Sequence, residues 1–175
     1  MFGCERSANE SLVANFEKNE LKQEQFTFNY EGCEIYGKVL PVDALTRGFS
    51  SGVKVYDLVV ESEFLKKAVI TQLTQTFNSD GSFTLTHYVE GIKIATLFYN
   101  AEGVLSDIEI ENNLKTRAAT SFTGCVAEKY AQLKKDMEGS IMGIIVDCTG
   151  PVSTVALAAT AAADCAGMFD NIGIK

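Results

Sequence analysis

Polar and apolar residues alternate one by one over much of the chain, which predicts extended strands. Phe26, Phe28 and Tyr30 alternate with polar residues, a Glu-Gly turn signal stands at 31–32, and the alternation resumes over 35–40. Successive side chains of a strand point to opposite faces of a sheet, so this pattern indicates two half-buried strands joined by a tight turn. We predict a β-hairpin in this part of the chain.

Acidic-glycine pairs divide the segment 80–111 into short apolar runs of about ten residues each. The pairs are Asp80-Gly81, Glu90-Gly91 and Glu102-Gly103. Strands at such regular spacing predict an antiparallel meander with one apolar face that packs against another layer. A further strand is predicted over 53–60, after a loop at 43–52, and 61–77 is predicted to be a short helix that runs into a strand.

Near the two ends of the chain, apolar residues recur at helical spacing instead. Ser7 and Glu10 match a capping box at the start of a predicted helix over 7–22. In the last third, apolar residues recur at i, i+4, i+7 and i+11, which predicts an amphipathic helix that ends near Gly139. These residues are Val126, Tyr130, Leu133 and Met137.

Two shorter helices are predicted to follow. The apolar segment 140–148 is the first, and Pro151 begins an alanine-rich helix that runs to about Cys165, since proline suits a first helical turn and alanine favours helix. The prediction is therefore an α+β fold. An N-terminal helix and an antiparallel β-meander sheet make a domain over 1–118, and a helix-hairpin or three-helix segment occupies 119–175.

The charge of the chain excludes two classes of partner. The 175 residues carry 15 basic and 23 acidic side chains, a net charge of −8. An acidic surface repels phosphate backbones and anionic lipid headgroups, so we expect no nucleic-acid partner and no direct binding to a membrane surface. No uncharged apolar run is long enough to predict a transmembrane helix.

Serine and cysteine nucleophiles commonly need an imidazole as a base. His87 is the only histidine of the chain, so it is the only candidate for that role. His87 is in phase with Phe83, Leu85 and Val89, on the predicted inner face of a strand. It is therefore predicted to be a hydrogen-bonded core histidine rather than a general base.

The remaining candidates for chemistry are carboxylates. Asp107, Glu109 and Glu111 share one face of a predicted strand, and hard cations bind several oxygen atoms, but the loop spacing of a calcium site is absent. A solvated face is therefore the expectation. Since the chain also lacks a C-x-x-C pair and a phosphate-binding glycine loop, we expect no catalytic residue, no cofactor and no metal.

Cysteines are frequent for a chain of this length, and they are Cys4, Cys33, Cys125, Cys148 and Cys165. A straight helix over 151–165 would hold Cys148 and Cys165 about 25 Å apart, whereas a disulfide needs Cα atoms within about 7 Å. An up-down-up arrangement of helices brings Cys148 back to Cys125. Cys33 and Cys165 would then be the second pair. The alternative is that all five are small buried thiols.

The first ten residues combine a cysteine with a polar run. Cys4 follows Gly3 and precedes the polar segment 5–10. This arrangement resembles the mature start of a bacterial lipoprotein. The resemblance implies that Cys4 is lipidated, and that the protein reaches a membrane only through this anchor.

The last third, from about Ser121, combines a Gly- and Ala-rich apolar run with Cys125, Cys148 and Cys165. It resembles the C-terminal parts of bacterial two-part precursors, in which a globular leader precedes a small, helical, cysteine-stapled bacteriocin-like peptide. The resemblance implies that the final stretch of about 50 residues is released as a disulfide-stapled peptide.

The sequence as a whole favours a non-catalytic binding or assembly protein outside the cytoplasm, either secreted or in the cell envelope, where cysteines can form disulfides. A flat apolar surface over 140–169 is predicted to bind a protein partner or a second copy of the chain. Two alternatives stay open. One is the secreted precursor, and the other is an intracellular enzyme that uses a cysteine or a carboxylate.

Overall fold

The computed structural model describes residues 19–30, 32–50, 52–111, 121–139, 155 and 158–166. The predicted helix over 7–22 lies almost wholly outside these residues, and of its last four positions only Asn19 is helical. The predicted helix over 140–148 also lies outside them, as do Cys4 and Cys148.

Antiparallel strands form the body of the described structure. They are β1 (Glu24–Tyr30), β2 (Cys33–Val42), β3 (Lys54–Ser62), β4 (Val69–Phe77), β5 (Phe83–Val89), β6 (Ile92–Tyr99) and β7 (Leu105–Ile110). All seven belong to one sheet, in the order β1-β2-β3-β4-β5-β6-β7, so each strand pairs with its neighbours along the chain. This arrangement confirms the predicted hairpin and meander, and a 3-10 turn over Leu45–Arg47 lies in the predicted loop.

The turn between β5 and β6 shows how the sequence sets the strand pairing. Glu90 and Gly91 have φ angles of 54° and 77°. Two successive positive φ angles are typical of a type I′ turn, whose twist matches that of the strands it joins. Glycine adopts such an angle without strain because it has no Cβ.

The helix predicted at the start of 61–77 is wrong. Residues 63–68 form turns and bends, and β4 occupies the rest of the range. Val60 pairs with Val69, so the intervening chain must reverse its direction at the end of the sheet. The β-branched residues of β4 favour the strand, and pairing with β3 outweighs the helical spacing of the segment before it.

One face of the sheet, the inner face, packs into the hydrophobic core. Its residues that are at most 1% exposed include Ile35, Val39, Leu58, Val60, Leu85, Leu97 and Ile108. The helix α1 (Phe122–Gly139) packs against β6 and β7. As predicted, it buries Val126 and Tyr130, while Glu128 and Lys129 are exposed. Each buried large apolar side chain contributes roughly 1.5–3 kcal/mol through removal from water.

A second C-terminal helix, α2, covers 158–166 and ends one residue beyond the helix predicted over 151–165. Its alanines are largely buried, with Ala158, Ala159 and Ala163 at most 1% exposed, and all three belong to the same hydrophobic cluster as the sheet. Small side chains let a helix approach its neighbours closely. In this described part of the chain, no helix has the length and apolarity needed to cross a membrane.

Candidate functional site

The histidine lies in the middle of the protein core. His87 of β5 is fully buried. Its Nδ1 atom is 2.7 Å from the hydroxyl oxygen of Tyr130 in α1, and its Nε2 atom is 2.8 Å from the hydroxyl oxygen of Thr71 in β4. A neutral imidazole has one donor and one acceptor nitrogen, and hydroxyl groups serve as either partner, so both nitrogens are satisfied. The prediction of a hydrogen-bonded core histidine is confirmed.

Burial keeps this cluster uncharged. It lowers the pKa of His87 to about 3. Burial, and after it the nearby Tyr99, raises the pKa of the Tyr130 hydroxyl far above its ordinary value. A general base must exchange protons near the working pH and reach a substrate. His87 instead joins β4, β5 and α1 through neutral hydrogen bonds.

A disulfide joins the two C-terminal helices inside the core. Cys125, near the start of α1, is bonded to Cys165, near the end of α2, and their Cα atoms are 5.8 Å apart. Both residues are buried, at 5% and 0% exposure. One turn further along α1, Lys129 forms an ion pair with Asp164. The end of α2 is therefore held beside the start of α1.

The predicted cysteine pairs, Cys125–Cys148 and Cys33–Cys165, differ from this arrangement. The structure pairs Cys125 with Cys165 and leaves Cys33 of β2 as a free, half-buried thiol. The prediction assumed that a helix over 140–148 returns the chain to the start of α1. The end of α2 lies beside Cys125 instead, so Cys165 is the residue within bonding distance.

A buried glutamine anchors the segment that precedes β1. Gln75 of β4 is fully buried. Its side-chain oxygen accepts a hydrogen bond from the Leu21 N–H at 2.9 Å, and its amide donates to the Asn19 carbonyl at 2.7 Å. The Asn19 amide in turn donates to the Ala101 carbonyl at 2.9 Å. The two bonds of Gln75 resemble the paired bonds between strands, and they hold 19–21 against the sheet.

The anchored segment forms one wall of a crevice of about 550 Å³, and the end of β2, the start of β3 and the loop between them form the other. Tyr56, 3% exposed, lines the crevice. Burial, and after it the carboxylate of Glu20, raises the pKa of Tyr56 to about 12, so the hydroxyl stays neutral. Apolar residues such as Leu21 and Val55 share the lining with charged ones, including Lys22 and Asp43.

The rim of this crevice carries both charge and apolar surface. Glu20 and Lys54 form an ion pair with 3.7 Å between the charged atoms. Leu45, on the 3-10 turn, is 67% exposed. The opposite charges of the ion pair offset each other, so the rim carries no strong field of one sign.

The carboxylates of β7 are balanced by lysines. The Asp107 carboxylate is 3.4 Å from Lys134, and the Glu111 carboxylate is 3.4 Å from Lys93, while Glu109 is exposed. Within the described ranges, no group of three or more potential ligands could hold a metal ion. Asp107 and Glu109 are exposed to solvent, as predicted, and the two ion pairs with lysines are a finding of the structure.

Comparisons with known proteins do not assign the chain to a family, since no family model, no curated protein and no solved structure matches it.

Sequence reasoning missed Gln75 and the Cys125–Cys165 pair. A signal for Gln75 is present, because it alternates in phase with the inward residues Thr71 and Leu73, and a polar residue on a buried face needs hydrogen-bond partners. Its partners, the backbone groups of Asn19 and Leu21, carry no sequence signal. The cysteine pairing depends on how two helices turn back on each other, which the spacing of cysteines does not encode.

Proposed function

We propose that the protein is a non-catalytic binding or assembly protein that works outside the cytoplasm, either secreted or in the cell envelope. The observation that carries the proposal is the buried disulfide between Cys125 and Cys165. Disulfides form and persist in oxidising compartments and are rare where cellular thiols are kept reduced. A lipid anchor on Cys4, outside the described residues, belongs to the same proposal.

The position of the histidine supports a role without catalysis. The imidazole of His87 is fully buried and both of its nitrogens are hydrogen-bonded. No substrate atom can reach it without disrupting the contact between the sheet and α1. Nucleophilic mechanisms that depend on an imidazole base therefore find no support in this core.

The crevice beside Tyr56 supports a role in binding. Its lining combines apolar residues, the neutral Tyr56 and the ion pair between Glu20 and Lys54. Assembly through 140–169 is also part of the proposal. Because the described alanines of α2 are buried in the core, such assembly would use the parts of this segment that lie outside the described residues.

One observation favours a second function, that of a secreted precursor whose last 50 residues or so are released as a peptide. Both cysteines of the disulfide lie within 119–175, and the last strand of the sheet ends at Ile110. A cut between the sheet and α1 would therefore leave α1 and α2 covalently joined. In the intact chain, the sheet would shield the alanines of α2 from water.

Intact-protein mass spectrometry on natively expressed material tests both functions. Thiols are alkylated under denaturing conditions, before and after reduction, and the labelled cysteines are mapped. The proposal expects Cys33 to be labelled without reduction, and Cys125 and Cys165 only after it. The variant Cys33→Ser is the matched control, because it removes a thiol without touching the disulfide.

The outcomes separate the alternatives. An intact chain with the Cys125–Cys165 disulfide supports the extracytoplasmic binding protein, and a lipid mass on Cys4 adds the anchor. A stable fragment that begins near Ser121 and keeps the disulfide supports the precursor. Five free thiols on an unprocessed chain would overturn both and favour an intracellular enzyme with a cysteine or a carboxylate.

A further inference from the structure

The two edges of the sheet differ in how they are protected. The sheet is open, with β1 at one edge and β7 at the other. An edge strand presents N–H and C=O groups that pair with another chain unless side chains, bulges or covering elements prevent it.

Side chains occupy the edge of β7. The Lys134 ammonium group of α1 donates a hydrogen bond to the Ile108 carbonyl, and the Ile108 N–H donates to the Asp107 carboxylate, each at 2.8 Å. Lys134 and Asp107 also form an ion pair at 3.4 Å. Both backbone groups of Ile108 are therefore engaged, and a second strand could pair here only by breaking these bonds.

Among the described residues, no hydrogen bond of this kind occupies the outer edge of β1. The strand reads EQFTFNY, with Glu24 as its only charged residue and no lysine or proline. Its pairing with β2 runs without a bulge from Glu24–Val39 to Tyr30–Cys33. Long edge strands with so few charges are the ones that accept a further strand.

The hairpin turn fixes which backbone groups of β1 point outward. Tyr30 and Cys33 are the last pair of the hairpin, and the closing pair of a hairpin with two residues between its strands is hydrogen-bonded. Hydrogen-bonded and non-hydrogen-bonded pairs alternate along an antiparallel ladder, so every second residue of β1 directs its N–H and C=O away from β2. Among the described residues, no hydrogen bond reaches these outward backbone groups. They belong to Gln25, Thr27 and Asn29.

These outward groups are self-complementary. When a second β1 strand pairs antiparallel about Thr27, Thr27 faces its own copy and Gln25 faces Asn29. Each of these facing pairs can exchange two backbone hydrogen bonds. Glu24 faces the uncharged Tyr30, so no like charges oppose each other, and threonine pairs are favourable across strands.

We propose that β1 is the interface of a homodimer, in which two β1 strands pair antiparallel about Thr27 and join the sheets of both copies. The interface is isologous, because a two-fold axis passes between the two Thr27 residues. The inference goes beyond the function proposed above and does not depend on the compartment in which the protein works.

Substitutions at Thr27 test the dimer by analytical ultracentrifugation of the full chain over a wide range of concentrations. Thr27→Pro removes an outward N–H while keeping the bonds to β2, a position that edge strands tolerate. We expect it to weaken the dimer by about a hundredfold, since each copy loses a donor at the centre of the interface. Thr27→Lys places two ammonium groups opposite each other and should also weaken it, most strongly at low salt. Thr27→Val keeps the shape and the N–H and should leave the dimer intact.

Disulfide trapping tests the register. In the proposed dimer, Cys residues introduced by Thr27→Cys have Cα atoms about 5.5 Å apart, within the range of a disulfide. Gln25→Cys is the matched control, because its two copies would be separated by about 14 Å along the strands. Both variants are oxidised and compared with the wild-type chain on non-reducing gels, which corrects for the native cysteines.

The proposal expects a dimer that Thr27→Pro and Thr27→Lys dissociate, together with cross-linking specific to Thr27→Cys. A wild-type chain that stays monomeric at the highest concentration would overturn it. So would a dimer that both substitutions leave unchanged, or equal cross-linking of Thr27→Cys and Gln25→Cys.

Discussion

The hydroxyl oxygen of Tyr130 lies 2.7 Å from Nδ1 of His87, and this hydrogen bond ties α1 to the centre of the sheet. Both residues are buried, so neither can exchange its partner for water when the other is removed. The other ring nitrogen of His87 is hydrogen-bonded to the hydroxyl group of Thr71. Neutral hydrogen bonds therefore add to the apolar packing that holds α1 against the sheet.

Acid should destabilise the protein through His87 before the carboxylates are protonated. The pKa of the imidazole falls from 6.5 to about 3 on folding. Above pH 6.5 both states are neutral and the full stability is present. Below pH 6.5, His87 binds a proton in the unfolded state but stays neutral in the folded state. The free energy of unfolding should therefore fall by about 1.4 kcal/mol per pH unit.

Urea unfolding at a series of pH values between 7 and 5 measures this slope. The variant His87→Gln is the control, because it keeps a polar side chain at the position but cannot titrate. Equal slopes for the variant and the wild type would show that His87 does not cause the loss of stability.

Removing one hydroxyl group from the buried cluster should also destabilise the fold. Tyr130→Phe and Thr71→Val each leave a His87 nitrogen without a partner, at a cost of about 1–3 kcal/mol in the free energy of unfolding. Tyr88→Phe, on the opposite face of β5, should have little effect. The measurement is chemical denaturation at pH 7.5. If Tyr130→Phe and Thr71→Val lose no more unfolding free energy than Tyr88→Phe, the hydrogen bonds to His87 do not stabilise the fold.

Gln75 should control the order of the segment before β1. Gln75→Leu removes both hydrogen bonds to the backbone of Asn19 and Leu21. The backbone groups left without a partner should lower the free energy of unfolding by about 1–3 kcal/mol. Hydrogen exchange at the Leu21 amide should accelerate more than exchange in β5. Gln72→Leu, on the outer face of the same strand, is the control and should change neither rate.

The disulfide should stabilise the chain mainly by restricting its unfolded state. Cys125 and Cys165 are 40 residues apart, and a loop of this length corresponds to about 4 kcal/mol. The double variant Cys125→Ala/Cys165→Ala should lose stability of this order, whereas Cys33→Ser should lose little. Thermal and urea unfolding of the three proteins provide the comparison, and equal stability would argue against a disulfide in solution.

The ring of Phe26 lies over Gly37, at the place where a larger residue would have its Cβ atom. The two residues face each other across β1 and β2, and a Cβ added at Gly37 would overlap the ring of Phe26. Gly37→Ala should therefore cost about 1–3 kcal/mol in unfolding free energy. Gly52→Ala meets no atom within 4 Å and should cost less than half as much. An unchanged free energy of unfolding for Gly37→Ala would mean that the ring of Phe26 moves aside without cost.

The sheet was predictable because its information is local. Several strands alternate in hydrophobicity, and the turns from β4 to β7 contain Gly81, Gly91 and Gly103, so pattern and turn chemistry agree there. The segment 63–68 was not predictable in this way, since its conformation follows from the pairing of Val60 with Val69 rather than from its own spacing. Long-range pairing overrides local preference at such positions.

The polar core was predictable only in part. The phase of His87 with Leu85 and Val89 places it inside, and the structure confirms that. Its partners Thr71 and Tyr130 come from different elements, and nothing in their own sequence context identifies them. The partner of Cys125 likewise depends on the direction in which α2 returns, which is a property of the packed helices.

Strand order that follows chain order has a consequence for synthesis on the ribosome. Each strand can dock on the one made before it, so the sheet can grow without waiting for distant parts of the chain. The outer side of β1 is then accessible from the first hairpin onward, whereas the edge of β7 is closed only when Lys134 has emerged. The disulfide comes last, because Cys165 leaves the ribosome after the whole sheet. When the sheet forms in this order, it is complete before Cys125 can pair with Cys165 and before the disulfide joins the two helices.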